Sequence, residues 1–135
     1  MDSYRHISAT RQGDVVCVRL KHTRLEESEI GQLGDEVLSL CREVGCRKLA
    51  LSLGPETPYC LYSVLLAKLV ATRNALGKLG VQMVLCDVGP NTYDAFEACQ
   101  LHKEFVFVRD FAAALAHFQE QGGHGIVEQW PPLEH

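Results

Sequence analysis

The sequence predicts one α/β domain: a mixed, largely parallel β-sheet that begins with an N-terminal hairpin and is covered by four helices. Short apolar runs alternate with segments whose apolar residues recur every three or four positions, the pattern of parallel strands joined by helical crossovers. The first two runs are separated by only Gln12-Gly13-Asp14. That is too short for a crossover, so this pair must be antiparallel. The chain has 135 residues, 47% of them hydrophobic, enough for one core that removes roughly two-thirds of the unfolded surface from water.

The elements follow in order. Residues 4–10 alternate weakly, and after the turn Val15–Leu20 reads as the second strand of the hairpin. From Glu27 the period changes: Ile30, Leu33, Val37, Leu40, Cys41 and Val44 share one helical face. Ser28 is the expected cap of that helix and Gly45 its stop. Lys48–Leu53 is a short apolar strand closed by Gly54 and Pro55. A long helical run extends from about Leu61 to Leu79, ended by Gly80, and Val81–Cys86 is the next strand. Pro90 stands at a helix start, with Tyr93, Phe96 and Cys99 following. Phe105–Val108 is the last strand, and Asp110 caps a final helix carrying Phe111, Ala114, Leu115 and Phe118. The folded unit is expected to span residues 4–121, followed by a flexible tail (122–132) and a tag remnant (133–135).

Composition removes several classes of function. Thirteen basic against 17 acidic residues give a net charge of −4, and the basic residues are scattered, so nucleic acid is not an expected partner. No apolar run reaches the ~18–20 residues of a membrane span, and no signal peptide follows Met1, so membrane insertion is not expected and a cytoplasmic location is. Six cysteines without a C-x-x-C pair, four of them inside apolar strand-like or helix-like runs, are expected to be reduced thiols.

Little in the sequence carries catalytic chemistry. A phosphoryl-accepting receiver domain needs a carboxylate at the end of a central strand, and here that strand ends Ser52-Leu53-Gly54. Cys41 to Arg47 matches the C-x5-R spacing of a cysteine phosphatase loop, but Cys41 falls at a helix C-terminus, where the dipole opposes a thiolate. His6, His22, His102, His117 and His124 lack metal-ligand spacing, so neither a metal nor a cofactor is expected; His22, His117 and His124 are expected to face solvent. The segment Tyr59–Val70 is different. It opens the long helix and is apolar nearly all the way round, with Lys68 the main interruption. Either it is buried on two sides, or it exposes an apolar patch that a partner covers. Ser63, near the helix start, is either a plain cap or a hydroxyl well placed to carry phosphate.

Two stretches resemble the STAS domain, the fold of anti-sigma factor antagonists. One is Lys48–Leu53 followed by Leu61–Leu69, similar to that family's central strand and helix opening; the other is Gly80–Pro90 with Tyr93, Phe96, Leu101, Phe105 and Asp110–Leu115. Together they extend over about His6 to Phe118. The resemblance implies partner switching: the domain binds an anti-sigma factor or related kinase-like protein, and phosphate on the helix opening, adding ~1.5–2 negative charges, releases it. It places Ser63 at the phosphoacceptor position and partner contacts at Tyr59, Cys60, Tyr62, Ser63, Leu65, Leu66, Lys68 and Leu69. This chain departs from the family's Asp-Ser-Ser-Gly pattern by placing Tyr62 at the usual Asp, Val64 at the second hydroxyl and Leu65 at the Gly. The expectation is therefore a non-enzymatic, constitutive binding module, with weak self-association left open. The alternatives are a small-ligand or nucleotide sensor of the same fold, and, last, an enzyme using Cys60 or Cys41.

Overall fold

The computed structural model describes residues 4–120; the expected tail and tag remnant lie outside the described residues. Strand β1 (Ile7–Gln12) turns through Gly13, at φ +64°, into β2 (Val15–Leu20), pairing Ile7 with Leu20 and Gln12 with Val15. Glycine suits a left-handed position that a side chain would strain. After the hairpin come α1 (Glu27–Val44), β3 (Lys48–Ser52), α2 (Tyr62–Lys78), β4 (Gln82–Cys86), α3 (Pro90–Ala98), β5 (Val106–Val108) and α4 (Phe111–Glu120). The sheet order is β1-β2-β3-β4-β5, with every pair after the hairpin parallel. The predicted architecture is the observed one.

Two local expectations change. The first strand begins at Ile7 rather than Tyr4, because the preceding chain is tied to α1: the Arg5 and His6 amides donate to the Glu36 carboxylate, and the Tyr4 hydroxyl donates to Glu43. Helix α1 is capped at Glu26 and not at Ser28. Glu26 has the extended backbone that a cap requires, and Glu29 accepts its N–H at 3.0 Å, leaving Ser28 inside the first turn. At the last helix Asp110 caps as expected, accepting the Ala113 amide at 2.9 Å.

Alternating side chains divide the sheet into two faces. Val16, Val18, Leu49, Leu51, Met83, Leu85 and Phe107 pack in the core formed with α1, α2 and α3. Val15, Cys17, Ala50, Val84, Cys86 and Val108 pack under Ala114 and Phe118 of α4. A single helix does not reach the β1 edge, where Ser8, Thr10 and Gln12 are exposed. Burial raises the thiol pKa of Cys17 and Cys86 above the ordinary value.

Helix α2 explains its own unusual composition. It packs on β4 with α1 and α3 against it as well, so apolar residues are needed on more than one side. Leu65, Leu66 and Leu69 are 0–3% exposed and belong to the core. This corrects their assignment as partner contacts: a helix packed on a sheet and two helices presents only a narrow strip to solvent. Lys68 is half-buried, and its ammonium meets Asp35 Oδ1 at 3.1 Å. Its stem lies over Gly34, where a Cβ would come within 2.3 Å of Lys68 Cε and 2.7 Å of Thr72 Oγ1. Lys68 thus joins α1 to α2.

Gly31 and Gly34 occupy the same helix in opposite circumstances, which yields a matched test. A Cβ at Gly31 meets nothing within 4 Å, so Gly31→Ala is expected to raise stability by about 0.5–1 kcal/mol through helix propensity. Gly34→Leu is expected to lower it by about 1–3 kcal/mol by overpacking the α1–α2 crossing. Urea titrations of the two variants and the parent check both signs.

Candidate functional site

Parallel strands deliver their loops to one edge of the sheet, and here the loops after β2, β3 and β4 meet. Leu53 N–H donates to Cys86 O, continuing the ladder beyond β3. The buried Ser52 hydroxyl donates to Asp87 Oδ2 at 2.6 Å and accepts the Gly54 amide at 3.2 Å. A side chain at Gly54 would place its Cβ 2.7 Å from Asp87 Cβ and 2.8 Å from Asp87 O. Only glycine allows the two loops to approach this closely. Asp87, at φ +56°, donates its amide to Arg109 O and so draws in the loop after β5.

A second set of bonds lifts the β3–α2 loop beside the chain leaving β2. Tyr59 N–H donates to Thr23 O at 2.6 Å, and Leu25 N–H donates to Tyr59 O at 3.0 Å. This single parallel rung pairs Arg24 with Tyr59, and the Arg24 guanidinium lies 5.6 Å from the centre of the Tyr59 ring. Tyr62 braces the other end: its hydroxyl donates to Pro58 O at 3.2 Å and is 3.3 Å from the hydroxyl of the buried Thr92 in α3.

The result is a braced turn that holds apolar side chains in solvent. Tyr59 is 71% exposed and Leu61 60%. Ser63, also exposed, is the second residue of α2. Leu61 takes the cap position, no side chain caps the helix, and its first turn carries no acidic residue. Ser63 is therefore not the cap. Its hydroxyl stands in solvent beside the positive end of the helix dipole.

The predicted contact residues divide accordingly. Tyr59 and Ser63 share the exposed surface; Cys60 and Tyr62 are half-buried at its base, and Leu65, Leu66 and Leu69 lie beneath it. Leu61 and Arg24 were missed. Leu61 carried one legible signal, an apolar residue preceding the buried Leu65-Leu66-Leu69 set; Arg24 carried none, because its place depends on a rung between distant loops. Desolvation raises the Cys60 thiol pKa, and the hydrogen bond to Cys46 followed by burial raises that of Cys41. Both shifts oppose a reactive thiolate of the kind the enzymatic alternative requires. His117, expected to face solvent, is half-buried with its ring edge-on to Phe118. Among the described residues no group of three His, Cys, Asp or Glu side chains can hold a metal ion, and no helix is long and apolar enough to cross a membrane. Next to the braced turn is an open cavity of ≈ 630 Å³, lined by Lys21, His22, Arg24, Glu29, Gly54 and Glu56 among others.

A five-stranded sheet with an N-terminal antiparallel hairpin, three helices on one face and one on the other is the fold of the anti-sigma-factor antagonist (STAS) domain. Solved structures bear this out. A STAS domain protein from Planctomyces limnophilus superimposes with a TM-score of 0.67 at 19% identity, over 84% of this chain and 98% of that one. SpoIIAA, an anti-sigma factor antagonist and Bacillus cell fate determinant, superimposes in its unphosphorylated form with a TM-score of 0.64 at 11% identity, over 88% of this chain and 99% of that one. Its phosphorylated form gives 0.60 at 12% identity, over 82% and 98%. No protein-family model and no curated protein sequence matches the chain. At these identities the likeness is one of fold.

The Ser52–Asp87 bond is the anchor of the loop edge. Ser52→Ala removes the donor beside a half-buried carboxylate and is expected to cost about 1–3 kcal/mol. Faster amide exchange confined to residues 53–61 and 87–89 distinguishes loss of this anchor from general destabilisation.

Proposed function

We propose that the chain is a non-catalytic regulatory domain that binds an anti-sigma factor or related kinase-like protein through the β3–α2 loop and the first turn of α2. The observation that carries this reading is the exposure of Tyr59 and Leu61 on a turn braced from behind. An exposed tyrosine that needs little ordering on association is a usual bearer of interface energy, and Leu61 beside it adds apolar area for a partner to cover. The described fold supports the reading because it is shared with an anti-sigma factor antagonist. The contact surface proposed is Tyr59, Leu61 and Ser63, with Cys60 and Tyr62 supporting it from below.

Ser63 is the hydroxyl at which a phosphate would act, lying exposed in the first turn of α2. Such a phosphate would add ~1.5–2 negative charges next to Tyr59 and Leu61, on a surface the partner must desolvate. The carboxylate and small residue of the phosphorylatable pattern are replaced here by Tyr62, which braces the turn, and Leu65, which is buried. Both support a domain that binds constitutively.

The test is calorimetric titration of the purified chain against the anti-sigma factor kinases of its source organism. Binding by the parent, weakened at least about tenfold (~1.4 kcal/mol) by the paired substitutions Tyr59→Glu and Leu61→Glu, is the expected outcome. Ala67→Glu, on the solvent strip of α2, is expected to retain affinity. Undiminished binding by the paired variant rejects the surface.

The cavity beside the turn favours a second reading, as a sensor of small anions or nucleotides, because Lys21, His22 and Arg24 are among its lining residues. Glu29 and Glu56 in the same lining oppose a highly charged ligand. Saturable stabilisation by a nucleotide, lost in Lys21→Ala and Arg24→Ala, supports the sensor; a flat melting temperature across nucleotides and inorganic anions excludes it.

A further inference from the structure

The far end of α1 holds a feature that partner binding does not use. Gly45 ends the helix at φ +64°, and the amides of Gly45 and Cys46 both turn back to the Cys41 carbonyl, the latter at 3.1 Å. In this type of helix stop the side chains flanking the turn face each other across it, normally as an apolar contact. Here both are cysteines, with their sulfurs 3.6 Å apart and both thiols free. A disulfide needs sulfurs ~2.05 Å apart, so closure requires only a further approach of roughly 1.5 Å. The pair also lines a surface cavity of ≈ 300 Å³ with Arg42, Gly45 and Arg47, large enough to admit a small oxidant.

We propose that Cys41 and Cys46 form a dithiol modification site that hydroperoxides convert reversibly to an intramolecular disulfide. Either sulfur can donate in the Cys41–Cys46 contact, but the Cys46 S–H reaches Lys48 O at 3.5 Å. With that proton directed to Lys48, Cys41 donates to the Cys46 sulfur, which lowers the Cys46 thiol pKa and raises that of Cys41. Cys46 is therefore the attacking group. Its sulfur takes the terminal oxygen of the hydroperoxide, the O–O bond breaks, and the alcohol (or water, from hydrogen peroxide) leaves with a proton. This makes Cys46 a sulfenic acid and removes the acceptor that held the Cys41 proton. Cys41 then attacks the Cys46 sulfur, the S–O bond breaks, and water leaves with the Cys41 proton. The two thiols lose two electrons and the hydroperoxide gains them. The bridge joins the last turn of α1 to the residue two before β3, at the edge of the sheet opposite the braced loops.

The experiment treats the reduced full-length chain with hydrogen peroxide, alkylates the remaining thiols under denaturing conditions and maps tryptic peptides. Cleavage after Arg42 separates the two cysteines, so the bridge reads as a linked peptide pair. The expected result is loss of two of the six thiols, recovery of the Cys41–Cys46 linked pair, and restoration of both thiols by dithiothreitol. In Cys41→Ser, Cys46 is expected to take the sulfenic-acid reagent dimedone. If Cys41 and Cys46 are both alkylated after oxidation while the exposed Cys99 or the half-buried Cys60 carries the modification, the proposal fails. Linkage between separate chains overturns it equally. The mapping on the parent chain decides the matter even where Cys41→Ser does not fold.

Discussion

A sheet of parallel strands must be covered with apolar side chains on both faces, and most of this structure follows from that constraint. Strands β2, β3 and β4 are almost entirely buried, and each fully buried Val or Leu contributes about 1.5–3 kcal/mol. Three helices cover one face and a single helix the other. That unequal division makes α2 a central helix, packed against a sheet and two helices, and accounts for its lack of a polar back. Gly34 and the stem of Lys68 show how closely α1 and α2 must approach for the cover to close.

The same parallel arrangement places the loops that follow β2, β3 and β4 along one edge. Backbone rungs and two side-chain hydroxyls hold them there: Ser52 links the β3 exit to Asp87, and Tyr62 links the α2 opening to Pro58 and α3. Because the turn is braced from behind, Tyr59 and Leu61 remain in solvent rather than collapsing onto the core. The chain can expose apolar area there without loosening. This is what a docking surface needs, since a side chain already ordered loses less entropy on binding.

The thiol pair at the opposite edge depends on the helix stop. Any sequence ending α1 with glycine in the left-handed position brings the flanking side chains together; cysteines at both positions turn a packing contact into potential redox chemistry. Its separation from the braced loops means oxidation there would act on the α1–β3 connection and not directly on the turn that carries Tyr59 and Leu61. The thiol pair and the braced turn thus occupy opposite ends of one sheet.

The order of strands and helices, the hairpin, Pro90 at a helix start and Asp110 as a cap were legible because each rests on local periodicity or on the stereochemistry of one residue. The apolar character of residues 59–70 was legible too, but not its meaning. Leu65, Leu66 and Leu69 had the composition of either a core or a docking face, and only the positions of α1 and α3 decided for the core. Arg24 and Asp87 could not be read as loop braces, since their partners lie 35 residues away in sequence. Cys41 at a helix end and Gly45 as its stop were legible, but the meeting of Cys41 with Cys46 was not, because it depends on how the chain turns after the glycine. Composition and spacing determine which residues seek burial and what each segment becomes; which surfaces are left uncovered is decided when the elements pack, because exposure belongs to the assembly and not to any segment of it.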